Sequence, residues 1–141
     1  DLSQQNRDWG QLELALEATH NQKFETSVTG FDRSRTDDTI AMPDWVYRFD
    51  ARYDLDRLRF AWTVNYRPEA LRAENATVET IPVPIADANW LHSISAQYEI
   101  NDHLRIRGGV QNLFDEGPSF PTTTYGDILG RRYFIGLTAK Y

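Results

Sequence analysis

The residues best able to do chemistry are few, and their spacing keeps them apart. Three histidines occur, His20, His92 and His103. A tetrahedral metal site needs three or four ligands converging on one point. His20 and His103 fall beside short connections and His92 near the opposite rim, so no metal site is expected. There is no cysteine, which removes thiolate chemistry and disulfides. Asp37 and Asp38 are neighbours in a polar stretch, and Glu13 and Glu17 are isolated; glycosidase carboxylates must instead flank a bound sugar. GDILGRR at 126–132 has the spacing of neither a phosphate loop nor a dinucleotide fingerprint, and no nucleophile elbow occurs. NAT at 75–77 matches a glycosylation sequon, which would carry no meaning if the chain is bacterial. No catalytic residue, metal or cofactor is expected, and the chain does not read as an enzyme.

What positions these residues is a pattern of strands. The 141 residues are 40% hydrophobic and 13% aromatic, enough for one domain, and a net charge of -6 argues against a nucleic-acid partner. No apolar run approaches the roughly 18 residues of a spanning helix. The opening DLSQQNRDWG is polar and is no signal peptide, which is unremarkable for a soluble cytoplasmic protein; for an outer-membrane protein, the start of the gene product is expected to lie elsewhere. A mean hydropathy of -0.59 is compatible with a barrel, whose strands alternate apolar and polar residues.

The alternation has period 2 throughout. Leu12, Leu14, Leu16 and Ala18 share one face of a strand over 11–20, and a weaker strand is expected over 23–31. Trp45, Tyr47, Phe49, Ala51 and Tyr53 alternate with Val46, Arg48, Asp50 and Arg52. After a turn at 54–57, Leu58, Phe60, Trp62, Val64 and Tyr66 alternate with Arg59, Ala61, Thr63, Asn65 and Arg67. Residues 68–88, with three prolines, read as a long loop in which PEALRAENA could form a helical turn. A strand over 90–98, a turn at 100–103, a strand through Leu104, Ile106, Gly108 and Val110, a loop at 115–130 and a last strand over 131–141 complete seven strands. Their connections alternate short and long, as in outer-membrane barrels with short periplasmic turns and long extracellular loops.

Two architectures satisfy this alternation. In a soluble β-sandwich or lipocalin-like binding module, the aromatic face would be the core and the charged face would meet water. In a membrane barrel the apolar face meets lipid and the charged face a wet lumen. Trp45, Tyr47, Trp62, Tyr66, Trp90, Tyr98, Tyr133 and Tyr141 are expected near strand ends, which suits aromatic girdles at the membrane interfaces. Arg48, Arg52, Arg59, Arg105 and Arg107 would then point into the lumen. With too few carboxylates expected beside them, they would crowd a narrow interior, which favours a wide barrel.

At the C-terminal end a family resemblance enters. LRIRGGVQNLFDE at 104–116 and YGDILGRRYFIGLTAKY at 125–141 resemble the close of a TonB-dependent outer-membrane receptor. The matching residues are Gly108, Gly109, Val110, Asn112, Leu113, Phe114 and Asp115, then Gly130, Arg131, Arg132, Tyr133, Phe134, Gly136, Leu137 and Tyr141. The resemblance implies an all-β, antiparallel transmembrane barrel of about 22 strands around a plug domain, with residues 1–141 its last seven strands. It implies a bacterial outer-membrane location and uptake of a scarce, bulky nutrient, a ferric siderophore first, with haem, cobalamin or oligosaccharide as alternatives. A passive porin-like channel fits the end motifs less well. The implied partners are the rest of the barrel and its plug, a TonB-type energy-coupling protein, outer-membrane lipid and a small-molecule ligand. Tyr133, Ile135, Leu137, Ala139 and Tyr141 resemble the terminal signal read during barrel assembly.

Within that frame, ligand contacts are expected from Arg33, Arg35, Arg72, Phe120 and Tyr125 in the long loops. Asn112 and Asp115 read as Asx residues satisfying backbone groups where a strand gives way to a loop. Gly108 and Gly109, inside a strand, suggest a bulge or the close approach of another element, the plug being the natural one.

Overall fold

A computed structural model describes residues 9–22, 25–27, 29–30, 34–35 and 38–140. In chain order the strands are β1 (Gln11–His20), β2 (Glu25–Thr26), β3 (Ser34–Arg35), β4 (Trp45–Leu55), β5 (Leu58–Arg67), β6 (Ala70–Leu71), β7 (Ile85–Ala86), β8 (Asn89–Asn101), β9 (Leu104–Gln111) and β10 (Arg132–Ala139). Six of them form one antiparallel sheet in the order β1-β4-β5-β8-β9-β10. Two small ladders, β2 with β3 and β6 with β7, belong to the loops.

The register carries the period-2 pattern across the whole sheet. Leu14, Ala51, Trp62, Ile94, Val110 and Tyr133 stand in one row, and Leu12, Tyr53, Phe60, Ala96, Gly108 and Ile135 in another. Residues directly opposite in a ladder point to the same side, so one face is apolar from edge to edge. The other face carries Glu13, Arg52, Ala61, Ser95, Gly109 and Phe134 in a row, with Gln11, Asp54, Arg59, Gln97, Arg107 and Gly136 in the next. A slip of one residue in any ladder would exchange the faces of that strand.

No layer among the described residues covers the apolar face. Leu16 is 74% exposed, Leu14 60% and Ile135 81%. A soluble sandwich would bury such a face against a second sheet. Val64 is the one long-strand position on this face that is buried, flanked in its row by Phe49 and His92.

Chain reversals differ at the two ends. Asp56 and Arg57 turn β4 into β5, Asp56 taking the left-handed conformation (φ 49°) that a short polar side chain tolerates. The turn from β8 to β9 is held by Asn101, whose Oδ1 accepts the His103 N–H at 2.9 Å. The opposite end carries the long connections 21–44, 68–88 and 112–131. The asymmetry expected from the sequence is present, with one strand fewer.

The seventh strand does not form as expected. Among the described residues Glu25–Thr26 pairs only with Ser34–Arg35, and β1 pairs directly with β4, so 21–44 is a single long connection. Lys23 and Phe31 themselves lie outside the described residues. This reverses the place of His20, which stands opposite Trp45 at the long-loop end, the same end as His92, rather than beside a short turn. Nor does PEALRAENA form a helix; Ala70 and Leu71 pair with Ala86 and Ile85 instead. The strands β1 and β10 are the two edges, and they do not pair with each other.

Candidate functional site

The polar face is an array of paired ions. Arg48 donates to Asp50 at 2.6 Å, and Thr63 Oγ1 donates to the same carboxylate at 2.6 Å. Arg59 meets Asp54 at 2.5 Å, Arg105 meets Glu99 at 2.5 Å, and Arg52 meets Glu13 at 3.3 Å. The expected shortage of carboxylates is therefore corrected: the partners lie on the same face, two residues along a strand or across a ladder. Arg107 has no carboxylate partner among the described residues; its side chain lies across Gly136, where a Cβ would sit 2.9 Å from Nε.

The two glycines expected to mark an approaching element behave differently. A Cβ on Gly109 would collide with the Ile94 carbonyl oxygen and lie 2.8 Å from the Phe134 ring. The neighbouring strand thus fills the space above Gly109 with an aromatic ring. No bulge occurs at either glycine; the register shift of this hairpin lies between Glu99 and Asn101. Gly108 faces the apolar side opposite Ile135. Phe134 was not foreseen in this role, although its opposition to Gly109 follows from the register.

Between this face and the 112–131 loop is a hollow of about 410 Å³, lined by Arg48, Thr63, Asn65, Ser93, Ser95, Gln111, Asn112, Asp127, Arg132 and Phe134 among others. Its lining is rich in hydroxyls and amides. Arg132 binds both Asp127 at 2.9 Å and Gln111 at 3.1 Å. Burial pushes the Asp127 carboxyl up, but the Arg132 hydrogen bond, the Leu129 backbone N–H and the Arg132 charge outweigh it and hold the carboxyl below its ordinary pKa.

At the long-loop end, aromatic rings run across the apolar face. His20 stacks on Trp45 (centroids 4.4 Å), Trp45 neighbours Tyr47 (5.8 Å), Tyr47 neighbours Tyr66 (5.9 Å), and Tyr66 stacks on Trp90 (4.0 Å). Phe114 meets His92 edge-on at 5.0 Å and extends this belt to the start of the last loop. Trp62 stands instead in mid-strand opposite Ala51 and Ile94, so it is not an end residue as expected. Tyr98 lies opposite Leu58 at the short-turn end.

Asn112 and Asp115 have the role read from their types. Asn112, 2% exposed with φ 53°, accepts the Glu116 N–H at 2.8 Å and donates to the Glu116 carbonyl at 2.7 Å. Asp115 accepts the Arg131 N–H at 2.7 Å. These bonds clamp both ends of the last loop.

The expected ligand residues are dispersed. Phe120 is exposed at 68%. Arg72 reaches the Val83 carbonyl at 3.2 Å. Tyr125, in contrast, is 1% exposed and forms a small core with Ala70 and Ala86, against which Ile40 packs. Its hydroxyl donates to the Pro68 carbonyl at 2.6 Å, and the Arg67 guanidinium lies 5.9 Å from the ring centroid. Burial pushes its phenol pKa up, partly opposed by the Arg67 charge. Arg33 and Tyr141 lie outside the described residues, and of Arg35 only the backbone, in β3, is described. Tyr133, Ile135, Leu137 and Ala139 share the apolar face of β10.

An open antiparallel sheet with one bare apolar face, one ion-paired face and all its long loops at one end defines a segment of a membrane β-barrel wall. The family of TonB-dependent receptor-like β-barrels matches residues 1–113, and the chain belongs to that family. That match takes in the strands upstream of the terminal motifs and most of the first motif, through residue 113. Among solved structures, a mutant of the ferric enterobactin receptor of Pseudomonas aeruginosa is similar at 14% identity and a TM-score of 0.61, covering 92% of this chain and 20% of that one. The ferric-catecholate import receptor of E. coli K12, in its closed form, is similar at 16% identity and a TM-score of 0.51, covering 89% and 17%. The chain thus spans about a fifth of the length of these receptors. Among curated proteins none matches.

Proposed function

We propose that this chain is the C-terminal wall of a larger barrel in the bacterial outer membrane, which takes up a ferric siderophore with energy from a TonB-type protein. One observation carries the reading: the register aligns an exposed apolar face and an ion-paired face across six strands, with both sheet edges open. In hydrocarbon each unpaired backbone group costs several kcal/mol, so both β1 and β10 call for further strands. The apolar face then meets lipid, and Arg48, Arg52, Arg59, Arg105 and Arg107 face a lumen wide enough for water and a plug. The paired ions are compatible with a wet interior, where such pairs need not be dehydrated. The siderophore assignment draws on the two similar receptors and on Arg72 and Phe120 in the long loops, since a cation and an aromatic ring suit an anionic, aromatic chelate. Tyr141 would close the assembly signal formed with Tyr133, Ile135, Leu137 and Ala139.

The test uses the full-length receptor in cells lacking other iron-chelate receptors. Uptake of a labelled ferric catecholate should stop when the energy-coupling protein is deleted, while binding to whole cells persists. Uptake that ignores the deletion would mark a passive channel. Indifference to ferric chelates, with uptake of haem, cobalamin or an oligosaccharide, would reassign the substrate.

A further inference from the structure

The three long loops are joined to one another. Ile40, in 21–44, donates its N–H to the Leu71 carbonyl at 2.8 Å, and Leu71 donates to the Asp38 carbonyl at 3.2 Å. The 68–88 and 112–131 loops are tied by the Asp87 N–H on the Phe120 carbonyl at 3.2 Å, and Asn89, the first residue of β8, holds the last loop through Nδ2 on the Gly117 carbonyl at 3.1 Å. Tyr125 stands where all three meet. Its ring is buried with Ala70 and Ala86 of the second loop and Ile40 of the first, and its hydroxyl is on Pro68. Separating any one loop would expose that ring and leave backbone groups unpaired.

We propose that residues 38–44 and the 68–88 and 112–131 loops open and close as one body pinned by Tyr125, a positioning residue that fixes ligand-contacting side chains without touching the ligand. The proposal rests on the uptake reading above. Phe120 is held through its carbonyl, and Arg72 is held through its N–H on the Pro84 carbonyl at 2.8 Å, so both ride on the same unit. Within the unit, relative positions are conserved through the cycle.

Hydrogen exchange on the full-length receptor distinguishes a single body from separate loops. The Ile40 and Leu71 amides bond between the first two loops, away from the chain segment that carries Tyr125. In Tyr125→Ala, exchange at Ile40, Leu71 and Asp87 should accelerate together, by about tenfold or more, with the wall strands unchanged. Tyr125→Phe, which keeps the ring, should accelerate the same set by less. Acceleration confined to 112–131 would overturn the proposal. A second arm joins two loops covalently with a Thr39→Cys, Leu71→Cys pair, positions that are bridge partners. Uptake of a ferric catecholate should be the same oxidised as reduced; a block relieved by reductant would overturn the single-body motion. If the unmodified receptor takes up no ferric catecholate, the uptake reading fails, and the exchange pattern still decides whether the loops form one body.

Discussion

The wall and the loop cap solve opposite problems. The wall has regular alternation and complete ladders, yet almost no residue in it is buried. No described residue covers its apolar side chains. The cap has little periodicity but contains the buried cluster Ala70, Ala86 and Tyr125. On the proposed reading, regular sequence here means an external solvent of low polarity, and irregular sequence means a self-made core. In a soluble domain the periodic elements would supply the core and the loops would be solvated.

Changes that move charge between the faces should break this contrast most strongly. Trp62→Arg places a cation in mid-strand on the apolar face and should cost about 2–4 kcal/mol in lipid-based unfolding of the full receptor. Thr63→Arg, one residue on, faces Asp50 and should cost no more than about 1 kcal/mol, the scale of the hydrogen bond it removes. Next in size is Gly109→Ala, expected to cost about 1–3 kcal/mol by overpacking. Combining it with Phe134→Ala should not restore stability, because the Ile94 carbonyl oxygen still obstructs the new methyl group.

A pH effect sharpens the cap side. The carboxyl of Asp127 has a lowered pKa in the folded chain, so its contribution is present above the ordinary carboxylate pKa. It is lost as pH falls through the folded value. Acidification should therefore loosen the 126–132 segment, read as faster Leu129 amide exchange normalised for intrinsic rate, and Asp127→Asn should abolish that dependence. Partial exposure of Arg132 limits the effect to about 1 kcal/mol or less. Smallest of all is Arg52→Gln. Both partners of the Arg52–Glu13 pair are more than half exposed, at 54% and 64%, and the loss should stay within about 0.5 kcal/mol in the same unfolding assay.

Much of the wall was legible because strand period and side-chain environment coincide at Trp45–Tyr53 and Leu58–Tyr66. The segment 23–31 misled because its few alternating residues resemble a strand locally, while strand identity depends on a partner of matching length. β1 found that partner in β4, and His20 changed ends as a result. The ion pairs were legible in principle, since Asp50 shares a face with Arg48 by simple parity; Glu13 with Arg52 needed the cross-strand register. Burial of Tyr125 carried no local signal. It arises where three sequence-distant loops meet, and a tyrosine in a Gly- and Pro-containing loop looks the same whether it waits for a ligand or fills a core.

The most direct measurement places a spin label at position 60 and, separately, at position 59 of the full-length receptor in lipid bilayers. Phe60 and Arg59 are adjacent in β5 and point to opposite faces. The label at 60 should be relaxed by a lipid-soluble quencher and protected from a water-soluble one, with the reverse at 59. Equal access to the aqueous quencher, or lipid contact at 59 instead of 60, would contradict the assignment of the apolar face to the membrane.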